Sequence, residues 1–367
     1  MSKATRKPKV TVDVCPLLET QWTGIPVFTR RLILALIRSS EVELEFATQL
    51  TLVPSQLVVA AIHAGTGAFL RDTFESVICP SHSPVDPTSF LLYPSVKTTP
   101  GAGPHEASTI HDMSTLFLPE CHEETNIAFH LDGLAEEVAT NEVVFCISEA
   151  TRAAFLVAFP SAASRTRLLY QYAEWPEDFP LMSRNLPKLG LGRYAVVVGT
   201  IEPRKNLGLL LQALDLPQLR RSDLRFVIIG RQGWKVEKFL AELSPECRQR
   251  ITFSGFVSEF TKYRLIESAE FLVYPSIYEG FGIPALEAMS LAKPVLCSIS
   301  SSLPEVIGDA GVYFDPLSVT EFAAAFEEIS AASRLAELAP VAQERSRAFN
   351  WQRMAQPVVE WVKGNCE

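Results

Sequence analysis

Two stretches of the sequence set charged side chains beside glycines in a way suited to holding an anion. The first, Gly199-Thr200-Ile201-Glu202-Pro203-Arg204-Lys205-Asn206, follows the apolar run 194–198. Arg204 and Lys205 at a strand end can hold phosphate oxygens, helped by the free N–H groups and positive dipole end of the helix that follows. The same pair would also suit an ordinary surface loop with two solvated cations. The second stretch runs from Pro275 to Glu287 and contains Tyr278-Glu279-Gly280-Phe281-Gly282-Ile283-Pro284. Gly280 and Gly282 let the backbone N–H groups of Gly280, Phe281, Gly282 and Ile283 approach an anion closely. Pro284 suits the first turn of a helix. Glu287 would then lie in that first turn among Ala285, Leu286, Ala288 and Met289. A half-buried carboxylate there needs a partner, either a ligand hydroxyl or simply the helix dipole.

Other chemistries are excluded by spacing. Gly280 to Ala285 matches G-x-G-x-x-A, but a dinucleotide fingerprint follows the first strand of its unit directly, and here Pro275–Glu279 intervene. A dehydrogenase is therefore discounted. No Asp-x-Asp pair and no His/carboxylate cluster stands in the sequence, so no metal or other cofactor is expected. The seven cysteines, Cys15, Cys79, Cys121, Cys146, Cys247, Cys297 and Cys366, form no Cys-x-x-Cys pair and read as small apolar residues.

These loops need strands and helices to position them. The first half alternates a strand at 9–14, a helix at 24–38, strands at 91–93, 108–111 and 142–147, and a long helical stretch at 122–140. Residues 42–95 carry apolar runs broken by Pro, Ser and Thr, and only 91–93 reads as an element there. A Pro- and Trp-bearing stretch, 172–192, has linker composition. Beyond it come strands at 194–198, 226–229, 251–253, 270–274 and 294–298. Helices at 206–214, 235–243, 259–269 and 284–292 lie between them. This alternation predicts α/β architecture: two Rossmann-like, doubly wound domains with a cleft between them and ligands at the carboxyl ends of the strands. The expected domains are 1–183 and 184–349, with a final helix near 350–367 packing back on the first.

Taken together, the motifs resemble the retaining glycosyltransferases of family four, which have the GT-B fold. Glu279 and Glu287 match the Glu-x7-Glu signature, and the 199–206 loop is similar to the phosphate loop of mannosyltransferase-like members. Lys293-Pro294-Val295, Ser301-Ser302-Leu303-Pro304-Glu305, Thr23-Gly24-Ile25, Thr109-Ile110-His111-Asp112 and Ser148-Glu149-Ala150-Thr151-Arg152 continue the resemblance in order along the chain. Two departures stand out. Thr200 replaces a frequent Arg, and Pro26 replaces the second glycine of the N-terminal loop.

The resemblance implies transfer of a hexose from a nucleotide-sugar donor to a glycan or lipid-linked hydroxyl in polysaccharide biosynthesis, with retention and without metal. It implies that Arg204 and Lys205 neutralise the diphosphate and that Gly280–Ile283 face sugar and phosphate. Glu279 would hold sugar hydroxyls and Glu287 the ribose. Gly24 lets the N-terminal loop close, and His111 with Asp112 lies on the acceptor side, where His111 could equally be a hydrogen-bonded structural histidine. After the 251–253 strand, the backbone near Val257 would pass the base. Glu259 can accept from guanine N1–H and N2–H2, whereas uracil offers one N–H between two carbonyls. This favours GDP-mannose or a related donor, although UDP-using relatives carry acids here too and Glu259 would equally cap helix 259–269.

Composition sets the outer limits. Across 367 residues the net charge is −9, which argues against a nucleic-acid partner. No apolar run of spanning length and no signal peptide is found, so a cytoplasmic location is expected, with the basic Lys3–Lys9 segment offering peripheral contact with anionic lipid. The alternatives carried forward are a UDP-sugar-dependent transferase, a GT-B epimerase or phosphorylase, and a noncatalytic sugar-binding module.

Overall fold

The computed structural model describes residues 7–68, 70–71, 85–86, 88–231 and 244–365. The expected helix at 235–243, Cys79, Cys366 and most of the Lys3–Lys9 segment lie outside the described residues. The chain divides into two compact units, one of residues 1–172 with 349–367 and one of residues 173–348.

In the first unit, strands β1 (Lys9–Asp13), β2 (Glu43–Thr48), β3 (Thr51–Val53), β4 (Phe90–Tyr93), β5 (His105–Ile110), β6 (Val143–Cys146) and β7 (Thr166–Leu168) form one sheet. Its order is β3-β2-β1-β4-β5-β6-β7. All neighbours run parallel except β2 and β3. Val10, Val12, Leu92, Val144 and Phe145 are buried within it, as strands covered on both sides require. Two of these strands, β2 and β3, and the helix Ser55–Ala64 occupy the part of the sequence that reads as unassigned. The expected 122–140 helix is two helices, Glu124–Leu131 and Leu134–Thr140, with Gly133 as N-cap of the second.

The second unit holds β8 (Tyr194–Val198), β9 (Arg225–Ile229), β10 (Ile251–Gly255), β11 (Leu272–Tyr274), β12 (Val295–Ser298) and β13 (Gly311–Phe314). The order is β10-β9-β8-β11-β12-β13, every pair parallel. Ala195, Val197, Phe226, Ile228, Phe271, Val273, Leu296, Phe322 and Phe326 share one apolar core. From β8 the chain winds outward to β10, then returns to β11 on the other side of β8. The chain thus leaves β8 and β11 toward opposite sides of the sheet, and such a switch point is where ligands bind in open α/β sheets.

The division falls at Tyr172–Ala173, ahead of the expected boundary at 183. Its physical cause is packing of the linker on helix Glu259–Glu267. Trp175 and Phe179 meet Tyr263 edge to face, and Phe179 also meets Phe260. Helix Trp351–Gly364 packs in the first unit, where the Trp361 indole N–H donates to Glu142 at 3.0 Å and its ring meets Phe90. Cys121, Cys146, Cys247 and Cys297 are buried free thiols, and Cys15 is half-buried.

Candidate active site

The two loops singled out by their charges meet at the β8/β11 switch point. Gly199, with φ 148°, ends β8, and Pro203–Lys205 form one 3-10 turn closed by Asn206 in the left-handed region. The Asn206 amide donates to the carbonyls of Pro275 at 3.1 Å and Pro316 at 2.8 Å, tying the two loops together. The Ile277 N–H donates to the Arg204 carbonyl at 2.9 Å. This geometry brings both cations onto one carboxylate. Lys205 donates to Glu279 Oε1 at 2.6 Å, and Arg204 donates to Glu279 Oε2 at 3.1 Å and to the Tyr278 carbonyl at 2.9 Å. Arg204 also pairs with Glu202 at 2.6 Å.

Glu279 is buried. Burial alone would raise its carboxyl, but Lys205 and Arg204 outweigh that and hold it below the usual range. The nearby Tyr274 hydroxyl is pushed far up, chiefly by burial and then by the Glu279 charge. Ser301 and Ser302 lock the backbone. The Glu279 N–H donates to Ser301 Oγ at 2.7 Å, and the Ser302 hydroxyl donates to the Glu279 carbonyl at 2.9 Å. Breaking a buried pair of this kind by removing one partner costs about 3–5 kcal/mol.

Gly280, Phe281 and Gly282 are buried, and Gly282, with φ 104°, is the N-cap of helix Ile283–Ser290. A Cβ on Gly282 would come within 3.0 Å of Leu303, so both the dihedral and the space select glycine. The positive dipole end of this helix thus lies in the same loop that carries Glu279.

Glu287 departs from expectation. It lies in the second turn of this helix, not the first, so the helix dipole does little for it. Its carboxylate is buried and pairs with Lys262 at 2.8 Å. That ammonium also lies 5.2 Å from the centre of the Trp175 ring, whose indole N–H donates to Ser290 Oγ at 3.0 Å. Glu259 is not the cap of its helix. Ser258 is, accepting from the Thr261 N–H, and Glu259 follows as a half-buried first-turn residue. Val257 is half-buried beside it, and Thr200 is half-buried at the end of β8. The ends of β8 and β9 approach closely: a Cβ on Gly230 would sit 1.9 Å from the Gly199 carbonyl oxygen.

In the first unit, Gly24, at φ 46°, is the N-cap of helix Ile25–Ser39, and Pro26 is buried in its first turn. Phe28 on that helix meets His111 edge to face at 4.6 Å between ring centres. His111 follows β5, and its Nε2 lies 2.7 Å from the Pro94 carbonyl, which makes it the donor there and leaves Nδ1 as the acceptor nitrogen. Burial pushes its pKa down to about 4, against the pull of Pro94 and Asp112. The ring is neutral at neutral pH and serves as a hydrogen-bonding group, not a cation. Asp112 accepts from the Ser114 N–H at 2.8 Å and hydroxyl at 2.6 Å, and His122 Nε2 meets Ser114 Oγ at 2.9 Å.

Sequence reasoning missed Glu202, Ser301, Ser302, Lys262 and Trp175 as parts of the site; Glu202 pairs with Arg204 two residues on, and the other four act through partners distant in the chain. It also passed over Asp13 at the end of β1. That buried carboxyl is raised to about 6, mainly by burial and partly offset by hydrogen bonds from Cys15. Among the described residues no group of three or more His, Cys, Asp or Glu side chains could hold a metal ion.

The profile described as Glycosyl transferases group 1 matches residues 181–345, the unit carrying Arg204, Lys205, Glu279 and Glu287. O-antigen chain mannosyltransferase B of Escherichia coli is 31% identical over 274 residues, which cover 70% of this chain and 69% of that protein. The chain belongs to the group 1 glycosyltransferases. The glycosyltransferase is also 27% identical over 245 residues to the serotype-specific mannosyltransferase WbdA of Escherichia coli, spanning 30% of that longer protein. Among solved structures, sucrose-phosphate synthase from Thermosynechococcus elongatus superposes with a TM-score of 0.67 at 19% identity, covering 98% of this chain and 99% of that one. Anabaena HepE, solved with UDP and glucose, gives 0.64 at 18% identity, covering 97% and 100%. These likenesses establish the GT-B fold of the glycosyltransferase, two α/β units each built on a parallel or nearly parallel sheet. Among its described residues no helix is long and apolar enough to cross a membrane.

Proposed function

We propose that this glycosyltransferase moves mannose, with retention at the anomeric carbon, from GDP-mannose or a related GDP-sugar to a hydroxyl of a growing glycan or lipid-linked acceptor. The carrying observation is the convergence of Arg204, Lys205 and Glu279 at the β8/β11 switch point. Likeness to O-antigen mannosyltransferases supports mannose and a surface-polysaccharide acceptor.

Departure of a nucleoside diphosphate leaves growing negative charge on the bridging oxygen. Arg204, Lys205 and the N–H groups at the start of helix Ile283–Ser290 stabilise that charge without a metal. Glu279, released from part of its pairing, orients sugar hydroxyls, and Glu287 with Lys262 faces the ribose. His111 accepts or donates a hydrogen bond on the acceptor side as a neutral imidazole. Glu259 accepts from guanine N1–H and N2–H2.

A screen of GDP- and UDP-sugars for donor hydrolysis and transfer tests this reading. GDP-mannose should be used, and nucleotide diphosphates should stabilise the protein equally in magnesium and in EDTA. Glu259→Gln should weaken GDP far more than UDP, since a hydrogen bond to a charged acceptor is worth about 1.5–3 kcal/mol. Tighter binding of UDP than GDP by the unaltered protein overturns the guanine assignment. A thermal shift lost only in EDTA overturns the metal-free one.

A further inference from the structure

The loop between β4 and β5 supplies the carbonyl that His111 uses, and a buried charge network holds that loop from behind. The side chains of Lys97 and Glu106 are both 0% accessible. The Lys97 ammonium donates to Glu106 Oε2 at 2.5 Å and to Thr140 Oγ1 at 2.9 Å. Glu106, rooted on β5, reaches back to the same loop and accepts from the N–H groups of Gly101 at 3.1 Å and Gly103 at 2.9 Å. Glu137, on helix Leu134–Thr140, accepts the Lys97 N–H at 3.0 Å and the Ser108 hydroxyl at 2.6 Å. The loop is thus fixed at Lys97, through both backbone and side chain, and at Gly101 and Gly103.

Such a network is a costly way to fill space. Hydrophobic side chains of equal volume often replace a buried ion pair without loss of stability. What charges and hydrogen bonds add is direction, because each partner is satisfied in one arrangement only. The loop they orient begins at Pro94, three residues before Lys97, and Pro94 gives His111 its 2.7 Å contact. An imidazole whose Nε2–H is committed to a fixed carbonyl keeps Nδ1 as its acceptor, whereas a ring without that carbonyl exchanges between tautomers.

We propose that Lys97 and Glu106 are positioning residues for His111: the buried pair fixes the Pro94 carbonyl, and the carbonyl selects the Nε2–H tautomer. Glu137 completes the device by holding the Lys97 backbone. The consequence for turnover rests on the reading of His111 as an acceptor-side residue. The consequence for the tautomer does not.

The test is 15N spectroscopy of the full chain labelled at histidine, with His111→Gln assigning the resonance. In the unaltered protein His111 should show the pattern of a pure Nε2–H imidazole. In Lys97→Met/Glu106→Gln, which removes both charges of the pair, the pattern should become a tautomer mixture. Glu137→Gln, which nearly keeps the volume and weakens the acceptor of the Lys97 N–H and the Ser108 hydroxyl, should move it in the same direction by less. In the double variant kcat should fall about 10-fold or more while the donor KM stays within about twofold, as expected of a misplaced acceptor-side group. The proposal falls if His111 keeps a pure Nε2–H pattern in the double variant or, should that chain not fold, in Glu137→Gln. A tautomer mixture with unaltered kcat keeps the positioning role and removes His111 from the chemistry.

Discussion

Lys205 and Glu279 are joined by a 2.6 Å ion pair, with Arg204 on the second carboxylate oxygen. On the proposed reading, a donor diphosphate competes with the Glu279 carboxylate for both cations. Glu279→Gln removes that competitor. GDP affinity, measured by calorimetry, should rise severalfold while turnover falls, because the sugar loses its orienting carboxylate. Weaker GDP binding in Glu279→Gln would show that Glu279 helps to build the phosphate site more than it blocks it.

Lys205→Ala should lower turnover by about 10²-fold or more, the scale of losing one charge-stabilising donor at a transition state. Steady-state rates at saturating donor check this, and a rate within about threefold of the unaltered enzyme would assign the loop a structural role only.

The depressed Glu279 carboxyl also makes a stability prediction. A carboxyl held below its unfolded value of 4.5 contributes stability that is present above that pH and lost as pH falls through the folded pKa. The melting temperature of the unaltered protein should thus drop more steeply below pH 4.5 than that of Glu279→Gln. Parallel curves would contradict the pairing.

Asp13 has the opposite sign. Its folded pKa of about 6 lies above the unfolded 3.8, so folding favours the protonated form and stability declines as pH rises through that window. Asp13→Asn keeps an acceptor for the Cys15 N–H and removes the penalty. It should raise stability by about 1–3 kcal/mol at pH 7 and by little at pH 4, read from urea unfolding at both values.

Glu287→Ala should weaken nucleotide binding more than it lowers turnover at saturating donor. Lys262→Met should do the same by leaving the Glu287 carboxylate buried without its cation, whereas the pair changed together should cost less than the sum of the single changes. Nucleotide affinity unchanged in Glu287→Ala would end the ribose assignment.

The legible parts of the fold were the central strands, because burial on both sides demands continuous apolar runs such as Tyr194–Val198. β2 and β3 carry no such run. In β2, Glu43 is exposed and Leu44 and Glu45 are half-buried, and in β3 all three residues are half-buried, so neither stands out by hydropathy. β7, Thr-Arg-Leu with the arginine exposed, escaped for the same reason. In the site, Arg204, Lys205, Glu279 and the two glycines were readable because one short segment carries each anion-binding feature. Lys262 with Glu287, and the serines locking Glu279, were not, since their pairing exists only once separate strands lie side by side. Pro284 set the expected helix start and so put Glu287 in the first turn; the helix starts at Ile283, and the four residues Ile283 to Leu286 precede the carboxylate.

The first unit is finished by a segment that comes after the whole of the second. Its sheet is complete by Leu168, yet Trp361, which meets Phe90 and Phe145 and donates to Glu142, follows residues 173–348 in the chain. A ribosome adds about 5–20 residues per second, so the gap lasts on the order of ten seconds. Throughout that interval the nascent first unit displays the apolar seat that Trp361 will fill. Its vulnerable moment thus falls during synthesis of its neighbour, when a chaperone, or rapid folding of residues 173–348, decides how much newly made chain survives.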